Sequence, residues 1–226
     1  MIDIAVVDYG MGNLRSVAKA LEHVAPEARV VVTSDPGAIG EAARVVFPGQ
    51  GAMPDCMREM DARGLREALL EAARCKPFLG LCIGLQMLFD WSEEGGVRGL
   101  GILRGRVVRF PAQRMFAADG SKLKVPHMGW NQVYQRMRHP MWAQIADGTR
   151  FYFVHSYYVE PQEAQIVAAT SNYPFSFASA VASGNIFAVQ FHPEKSHQAG
   201  LQLLSNFVRW DGSAAVPSLE MGTASA

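Results

Sequence analysis

Cys82 stands between two glycines in PFLGLCIGLQMLF, residues 77 to 89. Phe78, Leu79 and Leu81 read as a buried strand, and Leu85, Met87, Leu88 and Phe89 as a helix. Glycine weakens both elements. Gly80 and Gly84 therefore make sense only if the junction between strand and helix is sharp. Strand, glycine, nucleophile, glycine and helix is the order of a G-x-S-x-G elbow, here with a thiol in place of the hydroxyl. Such a turn lifts the sulfur above the sheet edge. The helix N-terminus favours the thiolate, and the Ile83 N–H would face a developing oxyanion. The plain alternative is a small buried cysteine, and the flanking pattern favours the elbow over it. Cys56 and Cys75 lack these signals and read as structural.

A thiol nucleophile needs a base. Among six histidines, IFAVQFHPEKS singles out His192, at the end of a strand, where parallel sheets collect their sites. Pro193 pushes His192 towards an extended conformation. His192 and Glu194 then point to one side, so the carboxylate can orient the imidazole while its other nitrogen faces the sulfur. FPGQG, residues 47 to 51, follows another strand and could bring backbone N–H groups to a substrate; a plain turn is the competing reading. DYGMGN, residues 8 to 13, has two glycines of G-x-G-x-x-G but Arg15 in the third position. No acidic residue ends the next strand at Thr33, which disfavours a dinucleotide site.

These pieces need a sheet to hold them. In the first third, IDIAVVD, ARVVVT, ARVVFP and PFLGL alternate with helical patterns at about Leu14–Val24 and in LREALLEAAR. The alternation predicts an α/β fold: a flavodoxin-like, mixed but largely parallel sheet with helices on both faces. GRVVRF, WNQVYQ, RFYFVHSYYVE, QIVAATSN, FSFASAVASG and IFAVQF predict an antiparallel extension. PAQRMFAADGSKLK reads as an exposed loop, and a last helix is expected over Gln198–Trp210. One domain over 1–210 and a disordered tail over 211–226 follow.

The 226 residues carry 21 basic and 21 acidic side chains, a balance that argues against a phosphate-gripping nucleic-acid binder. No apolar run reaches the ~20 residues of a membrane helix, and the opening strand leaves no room for a signal peptide. Three cysteines, an odd number, fit reduced thiols and a cytoplasmic location.

GLCIGLQML together with FHPE resembles the class I glutamine amidotransferases, and the resemblance runs from Ile2 to about Trp210. VVDYGMGNLRSV, VPHMGWNQV and FYFVHSYYV are similar to the histidine-biosynthetic branch of that family, the glutaminase subunits of imidazole glycerol phosphate synthases. The resemblance implies glutamine hydrolysis by Cys82 as nucleophile, His192 as base and Glu194 as its orienter. It implies a glutamine pocket of Gly49, Gln50, Gly51, Ile83, Gln86, Ser156 and Tyr157. It implies a (β/α)8-barrel cyclase subunit as partner, met at or near Asn13, His127, Met128, Trp130 and Lys195. Ammonia would pass through the barrel to a phosphoribulosyl intermediate (PRFAR), giving imidazole glycerol phosphate and an aminoimidazole carboxamide ribotide. No cofactor and no metal are implied. Gln50 departs from the pattern, since members often carry an apolar residue beside this loop. Competing readings are an amidotransferase for GMP, anthranilate, CTP or pyridoxal phosphate synthesis, a free-standing cysteine hydrolase or peptidase, and a non-catalytic interaction module.

Overall fold

The computed structural model describes residues 2–117 and 119–213. Most of the expected tail, residues 214–226, lies outside the described residues. In chain order the first half runs β1 (Ile4–Val7), α1 (Leu14–Val24), β2 (Val30–Thr33), α2 (Pro36–Glu41), β3 (Arg44–Phe47), α3 (Met53–Ala62), α4 (Arg66–Cys75), β4 (Phe78–Leu81) and α5 (Ile83–Gln86). The second half runs β5 (Phe89–Ser92), β6 (Val97–Arg98), β7 (Leu103–Arg109), β8 (His127–Gln135), β9 (Thr149–His155), β10 (Tyr157–Pro161), β11 (Val167–Asn172), β12 (Ser176–Ser183), β13 (Ile186–Val189) and α6 (His197–Arg209).

The order β2-β1-β3-β4-β13 is parallel throughout. Its strands are short and mostly apolar, and β1, β4 and β13 are buried on both faces, whereas the edge strand β2 is not. Alternation along them splits the core: Ile4, Val6, Val46 and Leu79 pack with Val17 and Leu21 of α1 and Leu203, Leu204 and Phe207 of α6. Val7, Val45, Phe47 and Phe78 face the other way, onto Met53, Cys56, Met57 and Met60 of α3 and Leu69 of α4. Beyond β13 the sheet continues antiparallel through β12, β10 and β7, with β11, β8 and β9 branching from β12. The expected parallel half and antiparallel extension are thus both present.

Four local readings change. The helix after Cys82 is one turn, because Phe89 already belongs to β5. RFYFVHSYYVE is two strands broken at Ser156: β9 pairs with β8, whereas β10 pairs with β7 and β12. In the loop expected to be exposed, Met115 is buried against the core. Order also continues past Trp210, whose indole N–H donates to the Ser213 carbonyl at 3.0 Å.

Candidate active site

The carboxyl ends of adjacent β4 and β13 converge. The Cys82 N–H donates to the Val189 carbonyl at 2.8 Å, tying the elbow to the strand that leads to His192. Cys82 adopts φ 53° and ψ −107°, a backbone conformation that a side chain rarely occupies and that marks a strained functional turn. Both glycines have the space reason the elbow required. A Cβ on Gly84 would strike the Phe47 carbonyl, and one on Gly80 would lie 2.9 Å from the Ala188 Cβ. The helix field at the sulfur is that of one turn with free N–H groups, so imidazole matters more than a long macrodipole.

His192 and Glu194 sit on a 3-10 turn, Pro193–Lys195. His192 Nδ1 is 2.9 Å from Glu194 Oε1, and both side chains are buried. The turn is fastened from behind: the Ser196 hydroxyl donates to the His192 carbonyl at 2.6 Å and accepts from the Tyr152 N–H at 3.0 Å. His192 Nε2 is buried with no hydrogen-bond partner among the described residues, and the His192 side chain lines the same cavity as Cys82. Burial pulls the imidazole down, but the negative charges of Cys82 and Glu194 together outweigh it and push His192 up to about 10. At neutral pH the imidazole is therefore a cation.

The cavity measures about 240 Å³, the scale of a small metabolite, and both Cys82 and His192 open onto it. Gln50, Gly51, Ile83, Gln86, Ser156 and Tyr157, all expected from sequence, line it. Gly49 stands behind the lining: a Cβ there would strike the Tyr9 hydroxyl and lie 2.8 Å from the Ile83 Cβ. The Tyr9 hydroxyl donates to the Pro48 carbonyl at 2.9 Å, and the Cys56 thiol lies 3.7 Å from the Gln50 carbonyl. Cys56 thus supports the loop, and burial pushes its thiol up to about 11.

Sequence reasoning missed Glu94, His155 and Gln190. Glu94 lines the cavity while its Oε2 accepts from the Met53 N–H at 2.8 Å. The signal for it was faint, one of two glutamates before a glycine pair. His155 lay inside a strand that was read as continuous. Gln190 immediately precedes the Phe-His-Pro-Glu run, and its Nε2 lies 3.7 Å from Cys82 Sγ.

The five residues expected near a partner separate into two kinds. Met128 and Trp130 are exposed on β8, Trp130 stacking on the His197 ring at 5.1 Å. Asn13, at the start of α1, and Lys195, in the Pro193–Lys195 turn, are half-buried. His127 alternates inward on β8, is 3% exposed, and lies 2.9 Å from His155 Nε2. Its imidazole therefore cannot meet a partner directly, and its contribution is internal. Burial holds His127 down to about 4; burial and the neighbouring imidazoles hold His155 down to about 3. The unfolded chain binds these protons near 6.5, whereas the folded one does not. The stability they contribute is present above pH 6.5 and is lost as pH falls towards 4 and then 3. Urea midpoints should fall over that window, less steeply for His127→Phe; an unchanged slope would contradict the neutral pair.

The family profile described as "Glutamine amidotransferase class-I" matches residues 5–210. The chain belongs to the class-I glutamine amidotransferase family. Among curated amidotransferase relatives, "Imidazole glycerol phosphate synthase subunit HisH" of Aromatoleum aromaticum is 70% identical over 210 residues, covering 93% of this chain and 99% of the relative. The HisH subunit of Thiobacillus denitrificans is 64% identical over 224 residues, covering 99% and 98%. Solved structures share the amidotransferase fold at low identity. The glutaminase domain of Trypanosoma brucei CTPS superposes with TM-score 0.62 at 18% identity, covering 93% of this chain and 95% of that one. PurLQS from Thermotoga maritima gives 0.65 at 18%, covering 92% and 99%.

Proposed function

We propose that this chain is the glutaminase subunit of an imidazole glycerol phosphate synthase in histidine biosynthesis. It hydrolyses glutamine to glutamate and ammonia for a (β/α)8-barrel cyclase subunit that converts PRFAR to imidazole glycerol phosphate and the carboxamide ribotide. The observation that carries the chemistry is Cys82 and a cationic His192 opening on one cavity, with Glu194 behind the imidazole.

Cys82 Sγ attacks the side-chain amide carbon of glutamine, and the carbonyl electrons move to oxygen. The Ile83 N–H and a backbone N–H of the Gly49–Gly51 loop stabilise that oxyanion. His192 gives its Nε2 proton to the amide nitrogen, the C–N bond breaks, and ammonia leaves a γ-glutamyl thioester on Cys82. With the thiolate consumed, one of the two charges that raised His192 is gone. The imidazole becomes a better base, takes a proton from water, and the resulting hydroxide attacks the thioester. Collapse releases glutamate and returns the thiolate–imidazolium pair. Glu94, the cavity's carboxylate, and the Gln86 Oε1, buried without a partner, suit the substrate's α-ammonium. The Ser156 hydroxyl suits its carboxylate.

The exposed Met128 and Trp130, with Asn13 and Lys195 at the edge, form the face offered to the barrel. The assembly is a heterodimer in the cytoplasm. Among the described residues, no helix is long and apolar enough to cross a membrane.

An uncoupled glutaminase would waste glutamine, so the isolated chain is expected to be nearly silent. Tyr9 and Cys56 engage the Pro48 and Gln50 carbonyls, while neither the Gly49 carbonyl nor the Gln50 N–H has a hydrogen-bond partner among the described residues. That peptide can present carbonyl or N–H to the site. Losing the N–H costs roughly 3–4 kcal/mol of transition-state stabilisation, and docking with PRFAR would shift the population towards N–H inward. Glutaminase rates should rise from isolated chain to binary complex to PRFAR-bound complex; an isolated chain as fast as the loaded complex would sink the gate. Gly49→Ala should slow all three states with the complex still forming, because its Cβ meets the Tyr9 hydroxyl in this structure.

A further inference from the structure

A polar chain leads from β8 to the nucleophile, and the proposed mechanism uses only the Cys82 sulfur and the Gln86 oxygen from it. Asn131 Nδ2 lies 3.3 Å from His127 Nε2, His127 Nδ1 lies 2.9 Å from His155 Nε2, and His155 Nδ1 lies 2.7 Å from the Tyr157 carbonyl. The same carbonyl accepts from Gln86 Nε2 at 3.2 Å. Gln86 Nε2 also donates to Gln190 Oε1 at 3.0 Å, and Gln190 Nε2 reaches the sulfur at 3.7 Å.

One atom fixes every direction in this chain. The Tyr157 carbonyl can only accept, so His155 must carry its proton on Nδ1 and offer a bare Nε2. His127 must then hold its proton on Nδ1 and accept at Nε2. The carbonyl equally requires that Gln86 present its NH₂ end. That end forces the Gln190 oxygen towards Gln86 and leaves the Gln190 NH₂ no direction but the sulfur. Both imidazoles are neutral, as this pattern requires, because burial holds them low. Gln86 and Gln190 are 1% and 0% exposed, so water cannot substitute for these partners.

We infer that Gln190 is a positioning residue for the Cys82 thiolate, and that Gln86, itself oriented by the Tyr157 carbonyl, keeps the Gln190 amide in the donor sense. The inference rests on Cys82 being the nucleophile. The donor aims the sulfur without touching substrate. A cysteine on a strained elbow otherwise has free rotation about χ1, with two of three rotamers turned away from any given acceptor carbon.

The test is a double-mutant cycle on the full chain, reading the rate of iodoacetamide alkylation at Cys82 at pH 7, located by peptide mass. No glutamine is present, so substrate contacts do not enter. Gln190→Met keeps volume and removes the donor; alkylation should slow about tenfold, since hydrogen bonds to charged groups are the stronger ones. Gln86→Met should slow it about threefold in the native background and not at all beside Gln190→Met. In the assembled complex, Gln190→Met should lower kcat about tenfold with KM within about twofold. Gln190→Glu, isosteric but without the donor, should alkylate more slowly than Gln190→Met; it also keeps the test open if the methionine variant does not fold. Native alkylation rates in both Gln190 variants would overturn the inference. So would effects of Gln86 and Gln190 that multiply in the double variant. A Cys82 that does not alkylate at all in the native chain would instead count against the nucleophile assignment.

Discussion

Cys82→Ala is expected to abolish glutamine-driven synthesis by the assembled enzyme, by roughly 10⁴-fold or more, while ammonium salts at alkaline pH still drive it at the native rate. The large factor follows because the sulfur forms and breaks the covalent bond, and no other group in the cavity can replace it. Cys56 is buried beneath the Gly49–Gly51 loop, with its thiol pushed up to about 11, so it cannot serve as a substitute. Ammonia-driven turnover survives because ring formation belongs to the barrel subunit. The substitution removes one sulfur from a buried elbow and leaves its backbone bond to Val189 in place. Turnover with glutamine and with ammonium, on the same preparation, measures both halves. Equal loss of both would mean that the division of labour is wrong.

The second largest effect is expected at His192. His192→Ala should lose about 10²–10⁴-fold in glutamine-driven kcat, the usual range for removing the group that moves protons. Glu194→Gln should lose less, about 10–100-fold, because the amide oxygen can still accept from Nδ1 but without charge assistance. The two also differ in pH dependence. With Cys82 first and Glu194 second raising it, His192 is pushed up to about 10, so the native rate should hold through mildly alkaline pH and fall as pH rises through about 10. Glu194→Gln removes one of the charges that raises His192, so that alkaline limb should move to lower pH. A limb in the same place, or equal losses at both positions with the fold intact, would contradict the assigned roles.

Much of this site was legible because its geometry is written in local constraints. Gly80, Cys82 and Gly84 announce a turn where side chains cannot fit, and neighbouring backbone and side-chain atoms close on both glycines. The pairing of His192 with Glu194 was legible but its geometry was not: only His192 is extended, and the 3-10 turn Pro193–Lys195, rather than strand alternation, folds the carboxylate back onto the imidazole. The parallel strands were readable because they are short, mostly apolar runs between helical patterns. Longer-range features were not. The run Leu85–Phe89 is apolar apart from Gln86 and too short for periodicity to separate one helical turn from the start of β5. α3 carries apolar residues at Met53, Cys56, Met57 and Met60, a helical spacing overlooked behind the proline and acidic residues between them. The break at Ser156 arises from a change of pairing partners, which no single strand records. His127 was placed near the partner face by the resemblance along with Met128 and Trp130, yet strand alternation turns it inward while they stay exposed. Glu94, His155 and Gln190 reach the site through tertiary contacts alone.

Cys82 is the group that glutamine meets in the proposed reaction. A glutamine analogue with a chloromethyl ketone in place of the amide puts an electrophile where the side-chain carbonyl would sit. Incubated with the chain assembled on its barrel subunit and PRFAR, it should label Cys82 at one equivalent, identified by peptide mass. Glutamine-driven turnover should fall in step with labelling while ammonia-driven turnover persists, and excess glutamine should protect. Label on Cys56 or Cys75, or full labelling with glutamine-driven turnover intact, would contradict the account.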